Sequence, residues 1–327
     1  LHMIRRLLNL PRRGLIALGA LVPIGAVGVW LLGPGQSPLN DVPALAPPDG
    51  AMRVYHLGHS LVGADMPVML AQLSGVDHRF NVQRGSGTSL RAHWEDSEPI
   101  LDFDMVNAPP VWRDPKDALQ AGDYDAVIFT EMVELRDALK YFDAAEYLHR
   151  WAQLARRGNP DTRLYIYETW HRLDDPDGWL TRIDNDLQDL WLGRLLAKDR
   201  KSAPPRPLYL IPGGQALAAV TRAAEAGEIP GLDSRDDLFD RLPDGSLDQI
   251  HLSPLGAYVV ALTHYAVLYH QSPERVPHVV TLADGSSFTA LDAEGARQLQ
   301  AIVWGVVTRL PRTGVQAASS FAISETQ

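Results

Sequence analysis

From residue 51 onward the hydrophobic pattern alternates between two regimes. Short apolar runs of strand length are separated by longer stretches in which apolar residues recur every three or four positions. Met52 to Leu57 reads as a first strand and Met66 to Leu73 as the helix after it, while Asn81 to Arg84 is a second, less apolar strand candidate. Ala126 to Thr130, Arg163 to Thr169 and Leu208 to Ile211 are bounded apolar strands, followed by helical patterns from Ala144 to Arg157, around Trp179 to Leu196, and from Gln215 to Ala226. A long apolar helix from Pro254 to His270 comes next, then β-prone runs about an Asp284-Gly285 turn, then a helix from Ala293 to Leu310. Strands that recur with helices between them predict a central parallel sheet covered on both faces, a three-layer α/β/α, flavodoxin-like architecture.

The first 50 residues follow other rules. Arg5, Arg6, Arg12 and Arg13 precede an uncharged stretch from Gly14 to Gly35 that is long enough to span a bilayer. The flanking arginines would keep the N-terminus in the cytoplasm and place the remainder outside. The expectation is a membrane anchor or signal segment over 1–35, which puts the protein on the periplasmic side of the inner membrane, or outside the cell if the segment is cleaved. The Pro-rich stretch 36–50 reads as a linker, 51–312 as the domain and 313–327 as a loose tail.

Charge and cysteine content narrow the chemistry. The formal net charge is -10, and the first 35 residues carry four arginines and no acids, which leaves -14 on the rest. A surface of that sign repels nucleic acid and excludes it as a partner. With no cysteine there is neither a thiol nucleophile nor a thiolate metal site.

In open parallel sheets the ligand site lies at the carboxyl ends of the strands, so the residues just after each strand carry the chemistry. Ser60, in Gly58-His59-Ser60-Leu61, follows the first strand, with a glycine two positions earlier that permits a tight turn. Near the other end of the chain, Asp248-Gln249-Ile250-His251-Leu252-Ser253-Pro254-Leu255-Gly256 sets an aspartate three residues before a histidine in what reads as one irregular turn before a helix. Such a carboxylate can orient an imidazole that acts as base toward a serine brought near by the fold.

These two stretches resemble the first and last blocks of the SGNH (GDSL-type) hydrolase superfamily, over roughly Arg53 to His270. The resemblance implies Ser60 as nucleophile, His251 as base and Asp248 as its partner, with no metal or organic cofactor. It further implies oxyanion donors from the Ser60 amide, from a glycine amide at Gly85 or Gly87 in Arg84-Gly85-Ser86-Gly87-Thr88, and from an asparagine side chain. His59 stands where the superfamily has an aspartate, and the asparagine position departs as well: Thr130-Glu131-Met132 occupies it. An ionised glutamate accepts hydrogen bonds and cannot donate one. Glu131 therefore reads either as a neutral acid in the site or as a structural carboxylate that caps the following helix or pairs with Arg84 or Arg91, with Thr130, Trp170 or His171 as substitute donors. The loops Tyr167-Glu168-Thr169-Trp170-His171 and Pro212-Gly213-Gly214 are similar to strand ends of the carbohydrate-esterase branch, where Trp170 could face a sugar ring, although a tryptophan beside a strand more often belongs to the core. Arg91, His93 and Trp94 form a further cluster without an assigned role. Asp174 to Gly178 lacks the ligand spacing of a calcium loop, and the scattered histidines lack that of a zinc site.

The expected function is removal of acyl groups, above all acetyl, from a carbohydrate in the cell envelope through an acyl-serine. A polysaccharide O-acetyltransferase using the same residues, and a non-catalytic polysaccharide-binding or assembly protein, are the alternatives.

Overall fold

The computed structural model describes residues 42–316, so the expected membrane segment and the end of the tail lie outside the described residues. Among the described residues no helix is long and apolar enough to cross a membrane.

Five parallel strands form the centre: β1 (Met52–His59), β2 (His78–Gly85), β3 (Ala126–Phe129), β4 (Arg163–Glu168) and β5 (Leu208–Pro212), in the order β2-β1-β3-β4-β5. Successive residues of the strands enter different cores. Met52 and Val54 of β1, Ala126 and Ile128 of β3, Tyr165 and Tyr167 of β4, and Tyr209 and Ile211 of β5 face one helical layer. The intervening Tyr55, Leu57, Val127, Phe129, Leu164, Ile166, Leu208 and Leu210 face the other. Burial on both sides is why these strands read as unbroken apolar runs rather than as alternating ones.

The first layer holds α1 (Asp65–Leu73) and, later in the chain, three long helices. The opposite layer is assembled from α2 (Leu90–Trp94), α4 (Pro115–Ala121), α5 (Leu135–Tyr141) and α6 (Ala144–Gly158), together with a π-helical stretch at Leu187–Leu195 and α8 (Ala197–Lys201), while the short α3 (Phe103–Val106) lies beside β2 and α7 (Trp179–Asp186) sends Trp179 and Ile183 into the core of the first layer. The long helices of the first layer are α9 (Gly213–Glu225), α10 (Pro254–Tyr269) and α11 (Ala293–Arg309). Two antiparallel hairpins complete the chain, β6 (Phe239–Arg241) with β7 (Leu247–Leu252), and β8 (Val279–Thr281) with β9 (Ser287–Thr289).

The structure differs from the expectation in four places. α2 to α5 escape the pattern because each is a few turns at most, too short to show a periodic apolar stripe. The stretch from Leu247 to Leu252, expected to be an irregular turn, is a strand. The Pro-rich segment is docked over its described part: the Leu45 amide donates to Gly314 O at 2.9 Å and the Tyr209 hydroxyl to Pro43 O at 2.9 Å. Thr313, expected in the loose tail, is buried, and the Leu210 amide donates to Arg312 O at 2.8 Å, so this return of the chain closes the free edge of β5.

Candidate active site

The chain leaves β1 toward β2 on one side and later takes β3 on the other, so the end of β1 is the point where strand order reverses. Ser60 stands there, at the head of a single 3₁₀ turn spanning Ser60–Val62. Gly58 sits against β3, where a Cβ would collide with the Thr130 side chain. Its carbonyl accepts from His93 Nε2 at 2.7 Å, and His93 Nδ1 in turn accepts from Gln83 Nε2 at 3.0 Å. His59 caps the turn. Its Nδ1 accepts from the Leu61 amide at 3.4 Å, which leaves Nε2–H to donate to Glu131 O at 2.8 Å. Burial pushes both imidazoles down to about 4, so both are neutral and can donate and accept at once. A neutral histidine thus performs the capping that an aspartate would perform at this position. His59 and His93 hold the turn that carries Ser60, a positioning role that sequence reasoning did not assign: His59 showed only as a departure from the expected aspartate, and His93 only as part of an unexplained polar cluster.

β7 delivers the other two groups. His251 Nε2 lies 3.1 Å from Ser60 Oγ, and His251 Nδ1 donates to Asp248 Oδ2 at 2.9 Å. Asp248 Oδ1 accepts from the amides of Ile250 at 2.9 Å and His251 at 3.0 Å, so one carboxylate fixes both the backbone and the ring. Burial alone would raise the Asp248 carboxyl, but these two amides and the imidazole hold it below the ordinary aspartate value. It stays ionised and keeps the Nδ1–H tautomer, which turns the Nε2 lone pair toward the serine hydroxyl.

The hairpin is clamped from the loop after β4. The Leu173 amide donates to Gln249 O at 2.8 Å and Trp170 Nε1 donates to Ile250 O at 2.8 Å. Trp170 is 0% exposed, so of its two readings, sugar platform or core residue, the structure has the core one. It positions the strand that carries the base. We expect Trp170→Phe to lower kcat roughly tenfold to a hundredfold with KM nearly unchanged, since a loosened base costs transition-state and not ground-state interactions. Steady-state kinetics beside a thermal melt would separate this from simple loss of fold.

His171 is also displaced from its expected role. It is buried with Nε2 3.0 Å from Asp186 Oδ2, in a network centred on Arg182. The Arg182 guanidinium reaches Asp186 at 2.8 Å, Asp175 at 2.7 Å and Glu134 at 2.8 Å. Among the described residues, Glu134, His171 and Asp175 are the group whose donor atoms lie close enough to hold a cation, within 4.8 Å of one another. Both of its carboxylates already pair with Arg182, which supplies the positive charge an ion would bring.

Glu131 is a structural carboxyl. It is 0% exposed, and Oε1 accepts from the amides of Leu90 at 3.2 Å and Met132 at 2.8 Å, joining the end of β3 to the start of α2. Neither expected arginine reaches it: Arg84 donates to Gly63 O and Val106 O, and Arg91 pairs with Glu98. Burial pushes the carboxyl up to about 7, against the two amides. Gly85 lies beside His59 in the register of β1 with β2, and Gly87 follows with a left-handed φ of 56°. Of the two expected glycines, Gly85 is thus set beside the strand end that carries Ser60, while the Glu131 carboxyl is engaged by the amides of Leu90 and Met132.

No protein-family model matches the chain, and no curated protein matches its sequence. Among solved structures, a DUF4886 family protein from Bacteroides uniformis is similar with a TM-score of 0.52 and 16% identity, over 79% of this chain and 95% of that one. A GDSL-like lipase from Parabacteroides merdae matches with a TM-score of 0.40 and 10% identity over 67% and 95% of the two chains. A family 3 carbohydrate esterase from Clostridium thermocellum matches with a TM-score of 0.38 and 14% identity over 66% and 94%. The likeness to the DUF4886 family protein is one of fold, a three-layer α/β/α arrangement about a central parallel sheet, as expected from the sequence.

Proposed function

We propose that the chain is a serine ester hydrolase that removes a short acyl group. The observation that carries this reading is the continuous chain of contacts Ser60 Oγ, His251 Nε2, His251 Nδ1 and Asp248 Oδ2 at 3.1 and 2.9 Å. Ser60 Oγ would attack the ester carbonyl while His251 takes its proton, then passes it to the leaving alkoxide. Water, deprotonated by the same imidazole, would release the acyl group and restore Ser60. The amides of Ser60 and of the Gly85–Gly87 loop are the candidates for binding the oxyanion.

Ser60 and His251 open onto a recess of about 190 Å³, walled by apolar side chains that include Leu61, Val62 and Leu252. A recess of that size favours acetyl or another short acyl group over a long chain. The His251 side chain is 47% exposed, which gives water a route to the acyl-serine. The setting we propose is the outer side of the inner membrane, on the strength of the arginine-flanked apolar run within the first 35 residues.

The test is a fluorophosphonate serine trap on the full chain, with peptide mass mapping, beside hydrolysis of 4-nitrophenyl acetate. We expect one adduct, on Ser60, and parallel loss of turnover. A protein that hydrolyses the ester while Ser60 stays unlabelled would overturn the assignment.

A further inference from the structure

The turn that carries Ser60 borders a second opening. A cleft of about 250 Å³ shares Gly63 and Ala64 with the recess at Ser60 and extends along β2 to the segment that contains α3. Its walls are apolar side chains, among them Val68, Phe80, Val82, Val106 and Trp112, and Met105, 80% exposed, lies at its rim. The neutral polar groups beside it are spent. Trp112 Nε1 donates to Gln83 Oε1 at 3.0 Å, and the Asn107 side chain accepts from the Arg84 amide at 3.0 Å and donates to Arg84 O at 2.6 Å.

Among the described residues one charged group lines this cleft, the Arg84 guanidinium. The register of β1 with β2 sets Arg84 beside Gly58, two residues before Ser60. Its Nη1 donates to Gly63 O and its Nε to Val106 O at 3.3 Å, and no carboxylate of the described residues forms an ion pair with it. Burial lowers its pKa, against the pull of Asp65, but a guanidinium stays charged in a protein. A partly desolvated cation without a counter-ion is a standing cost that an arriving anion would offset. The remaining Nη1–H and the Nη2 protons are left for a ligand, and parallel N–H groups of this kind match the two oxygens of a carboxylate. A single cation suits a single negative charge. The volume lies below the roughly 300–1,000 Å³ of sites for drug-sized ligands, so the apolar body is a short chain or one ring.

We propose that this cleft binds a small ionised carboxylic acid, the carboxylate on Arg84 and an apolar body along Phe80, Val106 and Trp112. The inference goes beyond the hydrolase reading and does not require Ser60 to be a nucleophile. The acid is either a free ligand or the acid end of an ester whose acyl group reaches Ser60 past the shared Gly63 and Ala64.

The test is calorimetric titration of the full chain with hexanoate and with hexanamide at pH 7 and low ionic strength, in wild type, Arg84→Met and Met105→Asp. We expect hexanoate to bind at least tenfold more tightly than hexanamide, and Arg84→Met to abolish that preference. Met105→Asp changes an exposed rim residue and leaves the contacts of Arg84 in place. It should weaken hexanoate about threefold to tenfold by like-charge repulsion and spare hexanamide. Equal binding of acid and amide, no binding of hexanoate, or hexanoate binding that neither variant alters overturns the proposal. Hydrolysis of 6-acetoxyhexanoate against 6-acetoxyhexanamide separates the two sources. A preference for the acid of tenfold or more in kcat/KM, lost in Arg84→Met, makes it part of the substrate, while equal rates with hexanoate still bound make it a free ligand. A chain that binds hexanoate and hydrolyses neither ester would sink the hydrolase reading and leave this one standing.

Discussion

Ser60→Ala and His251→Ala are each expected to cut kcat on a short-chain aryl ester by about 10⁴- to 10⁶-fold, and the double variant by little more than either alone, because the groups act as one unit. Asp248→Asn is the more informative change. The Asp248 carboxylate accepts from three donors, the amides of Ile250 and His251 through Oδ1 and the His251 ring through Oδ2. An asparagine can keep the amides on its carbonyl oxygen, but its NH₂ then faces Nδ1. The ring must accept there, Nε2 carries the proton, and the base can no longer take one from Ser60. A loss of about 10⁴-fold without loss of fold is the expected result. Circular dichroism and steady-state kinetics on the same preparations would decide it. Wild-type turnover in Asp248→Asn would falsify the role given to the tautomer.

Acid should unfold this protein early. His56, His59, His78, His93 and His264 are buried, and burial lowers each imidazole: His59, His78, His93 and His264 to about 4, His56 well below its ordinary value. Neither nitrogen of His56 has a protein partner, which makes protonation in place the more costly. A buried neutral imidazole contributes stability that is complete above the unfolded pKa, near 6.5, and is lost as pH falls toward the folded value, because the unfolded chain binds the proton first. Glu131 and Glu168 act in the opposite sense. Burial pushes them up to about 7 and about 8, so their contribution is complete below the ordinary 4.5 and lost as pH rises through the folded values. With His270, which burial also lowers to about 4, six imidazoles stand against two carboxyls, so below about pH 6.5 the unfolded state binds the larger number of protons and stability falls with pH. The expected result is a stability that falls steadily as pH drops from about 6.5 toward 4.5. Urea unfolding followed by ellipticity at pH 7 and pH 5 would show it, and an unchanged midpoint would contradict the neutral-histidine core.

The sheet was legible because its strands are buried on both faces, which writes them as compact apolar runs, and because the three-residue spacing of Asp248 and His251 lets one carboxylate meet both amide and ring. Other parts were not legible, for physical reasons. The ends of Trp170 and His171 point inward, and side-chain direction just past a strand end depends on where the next loop packs. Glu131 looked like an intruder in the oxyanion position because its partners, Leu90 N and Met132 N, are backbone groups with no signature in the sequence. The β6–β7 hairpin was missed because it is partly exposed along its length, so neither face of β7 is marked by alternation.

Placing Asp248 and His251 on one short strand reduces the degrees of freedom of the site. The base and its orienting carboxylate are three residues apart on the same piece of backbone, so their mutual geometry survives any rigid displacement of the hairpin. The distance from Nε2 to Ser60 Oγ does not, since it joins two ends of the chain 191 positions apart. The site has, in effect, one adjustable coordinate, held by the clamps on Gln249 and Ile250. A change in the loop after β4 would thus move the base as a preassembled unit, altering the rate without dismantling the machinery that sets it.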